Sequence, residues 1–566
     1  MNDIKSYYLI LLGGTGAKCG EILIHMCANG YLECDRLSIL YIDSDAENGN
    51  AKQFINVVEC YQKCRRQYLI QSSSLPCFFR PEIDFQTRSP VEGYNRFRDL
   101  ATPSGQDAAG VNSAEILMKA LYSEEEWNMK ISEGFFSHPN VGAAFFAANI
   151  DKILDRFYRL IQNDQKSMRA IKVFVIGSIF GGTGASSLPT ITKYLKKKLV
   201  GESDNENINN LIKIGGCMML PYFSFSRENM REQILSGDRI DIEADKFATK
   251  TRSALKYYKY VDEKQDRSIF DCLYMLGHDR YDIRGYYETA GAEQKNMPHI
   301  TEFYSAMSAV DFFDSPMDQN GRFFAIVPAD RIGWPDIYKY PKGFFHFHVM
   351  MRFVLVMKNL VLEELFNYKT EYKLKENVRN ISWYYDFLDG REKSVDMDEG
   401  KLHEKFAAIS EYCDTYIRWF AELNIRNPEK RDDPSAIGYD NSDGESDVVE
   451  YLQFFNKKIL IKQYFNNRIA KGDVKGGDSE KYENIYEENV RYIRKHFVEL
   501  EKYHAYTDVK TEEIELEEIW SRICDLGFNN TLKDRDILQN LAASPDKGIE
   551  AGVRNLINAV FVACLM

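Results

Sequence analysis

The sequence predicts an α/β fold: a Rossmann-type domain on a parallel sheet, followed by a mostly helical C-terminal domain. Three observations lead there. Val173 to Ile176 is an apolar, β-branched run, the pattern of a strand covered on both faces. It leads into the glycine cluster Gly181, Gly182, Gly184 and then into a helix. Tyr7 to Leu12 leads in the same way into Gly13-Gly14-Thr15-Gly16-Ala17-Lys18-Cys19-Gly20. From about Pro341 onward such strand-and-glycine units stop and helical periodicities take over.

Each element follows from its residues. Tyr7 to Leu12 is the first strand, Gly13 to Gly20 a phosphate-type turn, and Glu21 to Ala28 an amphipathic helix. A strand, a glycine turn and a helix N-terminus make an anion site, because free backbone N–H groups and the positive end of the helix dipole point at one spot. A P-loop is excluded, since no Gly-Lys-Ser/Thr follows a glycine at the required spacing. A dinucleotide reading stays open. Gly14-x-Gly16 and Gly20 resemble that fingerprint with the third glycine one position off, and the next strand, Leu37 to Ile42, ends at Asp43, an acid suited to a ribose 2′-OH. Asp43-Ser44-Asp45 offers two carboxylates for ribose or for water around a magnesium ion. Equally, one of them caps the helix that follows Gly49.

Pro76 to Gly110 is dense in Pro, Gly, Arg and Ser and reads as irregular. Its Arg88, Arg96 and Arg98 read as phosphate or partner contacts, or as solvated loop arginines. Pro139 and Gly142 bracket a tight turn before a helix near Ala143, and His138 there reads as a capped or core histidine. After Gly181 to Gly184, Ser186, Ser187 and Pro189 open a helix whose basic part is Ile191 to Leu199. Ile212 to Leu220 is a strand ending in Pro221-Tyr222-Phe223-Ser224-Phe225. The helix Asp245 to Val261, the strand Ile269 to Leu276, the loop Gly277-His278-Asp279-Arg280 and the long helix Asn296 to Phe313 come next.

Composition bounds the rest. At 566 residues the chain exceeds one ordinary core. A net charge of -13 argues against a large nucleic-acid face. The 11 cysteines lack metal-site spacing, so a reduced, cytoplasmic protein is expected. Met1 to Ser6 is polar, so no signal peptide is expected, and no run reaches the roughly 18 apolar residues a membrane span needs. The apolar tail Ala559 to Met566 reads as a docked helix end or an interaction tail.

The order of these pieces resembles the tubulin/FtsZ superfamily, most closely its prokaryotic tubulin-like branch. Gly13-x-x-Gly16-x-x-x-Gly20 is similar to tubulin's first nucleotide loop, G-Q-C-G-N-Q-I-G. His138-Pro-Asn-Val-Gly142-Ala-Ala looks like N-P-E-V-G of the third FtsZ loop. Gly181-Gly-Thr-Gly-Ala-Ser-Ser-Leu-Pro189 looks like the signature G-G-T-G-T-G-A-A-P, with Phe180 and Ser186 in place of its first and last glycines. Pro221-Tyr-Phe-Ser-Phe225 resembles P-F-x-F, and Gly277-His-Asp-Arg280 stands where FtsZ has P-N-D-R.

The resemblance implies GTP or GDP with Mg2+ over the C-terminal ends of the parallel strands. Gly13, Gly14, Thr15, Gly16, Gly181, Gly182, Thr183 and Gly184 would cradle phosphates, with Pro139 and Gly142 in the third loop. Asp43 and Asp45 would lie near magnesium or its waters, and Asn296 would read the base or cap its helix. An acid after the long helix completes the neighbouring subunit's site in this family. Here Phe323 to Val327 intervenes, and Asp336 or Asp330 is the catalytic candidate, with turn-capping the alternative for Asp330. The expected layout is a GTP-binding domain over 1–313, a connecting loop and long helix over 314–426, a mobile linker over 427–447 and a helical module over 448–566. The helical half reads as a surface for self-association or another protein, and its Tyr412, Tyr416, Trp419 and Phe420 read as core. The implied function is a head-to-tail homo-oligomer or filament with slow GTP hydrolysis at the subunit contact. Two alternatives stay open: a non-polymerising nucleotide switch or scaffold in a prokaryotic defence or stress system, and an NAD(P)-binding oxidoreductase.

Overall fold

The computed structural model describes residues 5–45, 47–69, 78–101, 113–131, 134–135, 138–200, 211–224, 247–263, 269–277, 282–283, 296, 298–317, 322–326, 346, 349–350, 353–354, 357, 362, 399–423 and 549–565. The expected linker, the helical patterns between residues 448 and 525, His278 to Arg280, Asp330 and Asp336 lie outside the described residues.

The first part of the chain builds one seven-stranded sheet. Its strands are β1 (Ser6–Leu12), β2 (Arg36–Ile42), β3 (Glu82–Arg88), β4 (Ile171–Ser178), β5 (Ile212–Met219), β7 (Cys272–Leu276) and β9 (Arg322–Ile326), with β6 (Phe223–Ser224) and β8 (Asp282–Ile283) forming a separate parallel pair. The order is β3-β2-β1-β4-β5-β7-β9 and every pairing is parallel. Parallel neighbours need crossover connections, and helices supply them on both faces. These are α1 (Gly13–Ala28), α2 (Gly49–Tyr68), α3 (Ser113–Leu121), α4 (Glu124–Asn128), α5 (Pro139–Lys166), α6 (Thr183–Val200), α7 (Phe247–Glu263) and α8 (Ile300–Asp314).

Alternation along the strands sorts the two layers. Tyr8, Ile10, Leu12, Val173 and Val175 face the layer of α5, α6 and α7, where Phe157 meets Tyr8 edge-on. Tyr7 and Phe174 face the other side, where Tyr7 stacks on Phe313 and Phe174 packs at a tilt against Phe312 of α8. The sheet interior is fully buried, so its strands are near-continuous apolar runs that the sequence displays openly.

Several boundaries differ from expectation: α5 begins at Pro139, so the expected turn of Pro139 to Gly142 is its first turn, and the long helix begins at Ile300 rather than Asn296, behind its His299 cap. The stretch expected to be irregular contains β3, an edge strand whose Ile83 and Phe85 alternate with polar residues. Helix α1 begins at Gly13, so the glycine turn is its own first turns. Helix α6 begins at Thr183 and carries Pro189 inside it. Pro189 has no N–H for the carbonyl of Ala185, and the Tyr258 hydroxyl of α7 donates to that carbonyl at 2.7 Å instead. Finally, Arg322–Ile326 is a seventh parallel strand beside β7, which makes α8 a crossover helix between two strands of the sheet.

The chain divides into two compact units. One comprises Met1–Leu23, Cys34–Val58 and Pro81–Ile332; the other comprises Ile24–Glu33, Glu59–Arg80 and Gly333–Met566. The second unit holds the last turns of α1 and α2 together with α9 (Glu399–Leu423) and α10 (Ile549–Leu565). Tyr412, Tyr416 and Trp419 are core, gathered around His25, whose Nδ1 lies 3.1 Å from the Tyr412 hydroxyl. The side chain of Phe420 lies outside the described residues. The apolar tail is a docked helix end at Phe561, whose ring stacks on Phe78 at 4.1 Å. Cys64 and Tyr68 of α2 donate to the carbonyls of Ala408 and Lys405 on α9. Among the described residues no helix is long and apolar enough to cross a membrane.

Candidate functional site

The site grows from the pairing of β1 with β4, which sets Leu12 against Gly177 and so brings the two glycine turns side by side. Gly13 follows β1 directly with φ +69, a left-handed conformation that L side chains rarely adopt. A Cβ there would stand 3.3 Å from Thr183 Cβ. Across the gap, Gly184 lets the first turn of α6 rest on the end of β4: a Cβ on it would lie 2.4 Å from the Ser178 carbonyl oxygen. The hydroxyls of Ser186 and Ser187 donate to the carbonyls of Gly182 and Thr183 at 2.8 and 2.6 Å, which ties the turn to the helix.

Two more helix starts meet this place. Gly14 faces Asn48 and Asn50 at the start of α2, both amide nitrogens 3.3 Å from where a Cβ would be. Asn48 caps α2 by accepting from the N–H groups of Asn50 and Ala51 at 2.9 and 3.3 Å. Pro139 opens α5, and Gly142 approaches Ser186 so closely that a Cβ would lie 2.4 Å from its Oγ. The N-termini of α1, α2, α5 and α6 therefore converge. Their unsatisfied N–H groups and dipole ends sum to a strongly anion-attracting site.

The acids of the second loop close one side. Thr183 Oγ1 donates to Asp43 Oδ1 at 3.0 Å and lies 3.1 Å from Ser44 Oγ, while the Tyr41 hydroxyl donates to Asp43 Oδ2 at 2.8 Å. Burial pushes the Asp43 carboxyl up to about 6, the Tyr41 bond pulls it down, and the nearby Asp45 charge raises it again. Asp45 is buried, accepts from the Glu47 N–H at 3.0 Å, and has the Gly134 turn over it. Among the described residues no group of three or more His, Cys, Asp and Glu side chains can hold a metal. Two carboxylates beside an anion pocket suit magnesium, which keeps most of its waters and takes the remaining ligands from phosphates.

Asn296 is joined to the site through its backbone. Its N–H donates to Asn50 Oδ1 at 2.8 Å, and its carbonyl accepts from Lys18 Nζ at 3.1 Å. It does not cap the long helix: His299 does, with Nδ1 accepting from the Thr301 N–H and Glu302 completing a capping box. Lys18 also pairs with the fully buried Glu302 at 3.1 Å, and Glu302 accepts from the Tyr222 hydroxyl at 2.5 Å. Thr15 lies beside the same phenol. Phe180 turns its ring into a buried cluster with Phe247, Phe223 and Tyr222, the nearest centroid 4.9 Å away.

Thus the structure gathers Gly13, Gly14, Gly16, Asp43, Asp45, Gly142, Thr183 and Gly184 in one place, with Gly181 and Gly182 in the turn before α6 and Asn296 linked by Asn50. Asp330 and Asp336 lie outside the described residues. Arg96 and Arg98 are used locally, both reaching Asn128 at the end of α4. Sequence reasoning missed Asn48, Asn50 and Lys18. The cue was Asn48-Gly49-Asn50 just before a helix, which reads as capping and hides a second, inward role.

A protein-family model described as tubulin like matches residues 9–289. No curated protein matches the chain.

Proposed function

Residues 9–289 belong to the tubulin-like family within the tubulin/FtsZ superfamily, and on that footing we propose that the protein binds a guanine nucleotide, GTP or GDP with Mg2+, over the C-terminal ends of its parallel strands. The observation that supports this most is the meeting of the α1 and α6 glycine turns, clasped by Thr183 and Asp43. Phosphates would lie on Gly13 to Gly16 and Gly181 to Gly184, with Pro139 and Gly142 beside them and Asn296 on the base side. Asp43 and Asp45 would hold magnesium or its waters. When bound, magnesium supplies charge neutralisation for the phosphates.

The proposed activity is head-to-tail self-association with slow hydrolysis, Asp336 or Asp330 of one copy completing the site of the next. Such chemistry rests on positioning and charge stabilisation, for which backbone N–H groups and one acid suffice. The helical half would then serve self-association or another protein.

The test is the nucleotide released by denaturing natively purified protein, together with light scattering on adding GTP. Released GDP or GTP, with scattering that rises on GTP and fails to rise in a folded Gly182→Trp variant, supports the reading. Guanine nucleotide without any rise in scattering favours the non-polymerising switch. An NAD(P) peak, or no nucleotide and no GTP binding, overturns guanine-nucleotide binding.

A further inference from the structure

Asn50 is the second residue of α2 and is 2% exposed. Its Oδ1 accepts the Asn296 N–H at 2.8 Å, and this bond assigns the amide. With the oxygen turned to Asn296, the NH2 group must face the other way. There it meets the first turn of α1, Nδ2 lying 3.3 Å from the place a Gly14 Cβ would take. Among the described residues Nδ2 donates to nothing. An NH2 group left without a protein acceptor on a residue only 2% exposed is informative by its direction. It points at the convergence of helix N-termini where an anion is favoured.

We propose that Asn50 is a ligand-binding residue: its Nδ2 donates to a phosphate oxygen of the nucleotide seated on the α1 turn, an oxygen that GDP and GTP share. The proposal rests on the guanine-nucleotide reading of this site. It also gives the ligand a line to α8. The amide that binds phosphate holds Asn296, whose carbonyl holds Lys18, whose ammonium pairs with Glu302 in the first turn of α8.

The two functions of one amide can be separated. Asp at this position keeps an oxygen for Asn296 but replaces the donor with a negative charge facing phosphate. Ala removes both. A donor to phosphate therefore predicts affinity in the order Asn50, then Asn50→Ala, then Asn50→Asp, with Asp weakened about tenfold or more for GDP and GTP alike. A purely structural role predicts Asn50 and Asn50→Asp equal and Asn50→Ala weakest. The measurement is calorimetric titration of the full chain, stripped of nucleotide, with GDP, alongside the melting temperature of each nucleotide-free variant. The expected result has affinity falling from Ala to Asp while stability falls from Asp to Ala. Equal affinities, or the structural order, overturn the proposal. If Asn50→Asp does not fold, Asn50→Ser restores a short donor and is expected to bind tighter than Asn50→Ala; equal binding overturns the proposal. If the wild type ignores GDP and GTP, the guanine reading fails by itself. Titration with inorganic pyrophosphate then tests Asn50 separately: the same order of variants supports it, and no dependence on residue 50 overturns it.

Discussion

Asp43 illustrates how a single residue reveals its purpose by being uncomfortable. It is buried, shares its oxygens with Tyr41 and Thr183, and lies near a second acid, Asp45. Its folded pKa of about 6 lies above the ordinary value near 3.9. The native state thus holds the proton more tightly than the unfolded chain does. Stability from this group is complete below about pH 4 and is lost as pH rises through about 6. At pH 7.5 the nucleotide-free protein carries the burden of a buried carboxylate, which a cation would relieve. Asp43→Asn is expected to stabilise the nucleotide-free protein by about 2 kcal/mol at pH 7.5 and to change it little at pH 4. Urea midpoints at the two pH values would check this; equal shifts at both would be evidence against it. The same variant should weaken the magnesium dependence of nucleotide binding. The chemistry at Asp43 was legible from its place at the end of a strand. Its clasp with Thr183 was not, because the two are 140 positions apart and only the sheet order brings them together.

At the scale of elements, the strands were easier to read than the starts of helices. Strands β1, β4 and β5 are covered on both faces, so every residue is constrained towards apolar. An edge strand such as β3 has fewer covered positions and hides among polar residues. Glycine turns mislead in the opposite sense: Gly13 and Thr183 look like loop and are helix, because close approach of helix to strand selects glycine as strongly as a turn does. Pro189 is the clearest conflict between local and tertiary rules. Its missing hydrogen bond is replaced by Tyr258 of α7. Tyr258→Phe is therefore expected to cost about 1–3 kcal/mol, since the Ala185 carbonyl is left buried and unpaired. In a Pro189→Ala background the helix N–H returns to that carbonyl, and the cost of Tyr258→Phe should fall by at least half. A double-mutant cycle from melting or urea curves measures this coupling directly. Additive effects would mean that the phenol matters for some other contact.

At the scale of the whole molecule, two buried groups in different units, Asp43 and His25, respond to acid in opposite senses. In the second unit His25 is fully buried among Tyr412, Tyr416 and Trp419, and burial, with the charge of Arg418, holds its pKa well below the ordinary value. The unfolded chain accepts a proton near pH 6.5 that the folded unit refuses. Stability from this group is present above about pH 6.5 and falls by about 1.4 kcal/mol per pH unit below it. Asp43, in the first unit, gains stability over part of the same range as pH falls from about 6 to 4. The chain should therefore unfold in closer step at pH 7.5 than at pH 5, where the unit containing His25 should melt first. Trp419, whose ring lies 5.1 Å from His25, reports on that unit by fluorescence once the other tryptophans are replaced. His25→Phe should remove most of the acid sensitivity of the Trp419 transition and leave the Asp43-dependent transition of the first unit unmoved. A Trp419 midpoint that still falls with acid in His25→Phe would place the sensitivity in another group. Helix α1 begins in the glycine turn and ends at Ala28, past His25, and α2 begins at Gly49 and ends in the same unit. Nucleotide binding is therefore expected to raise the transition of the first unit at both pH values. Any rise it brings to the Trp419 transition measures, as a shift in midpoint, how much of the ligand's binding free energy those two helices carry from the site into the helical half.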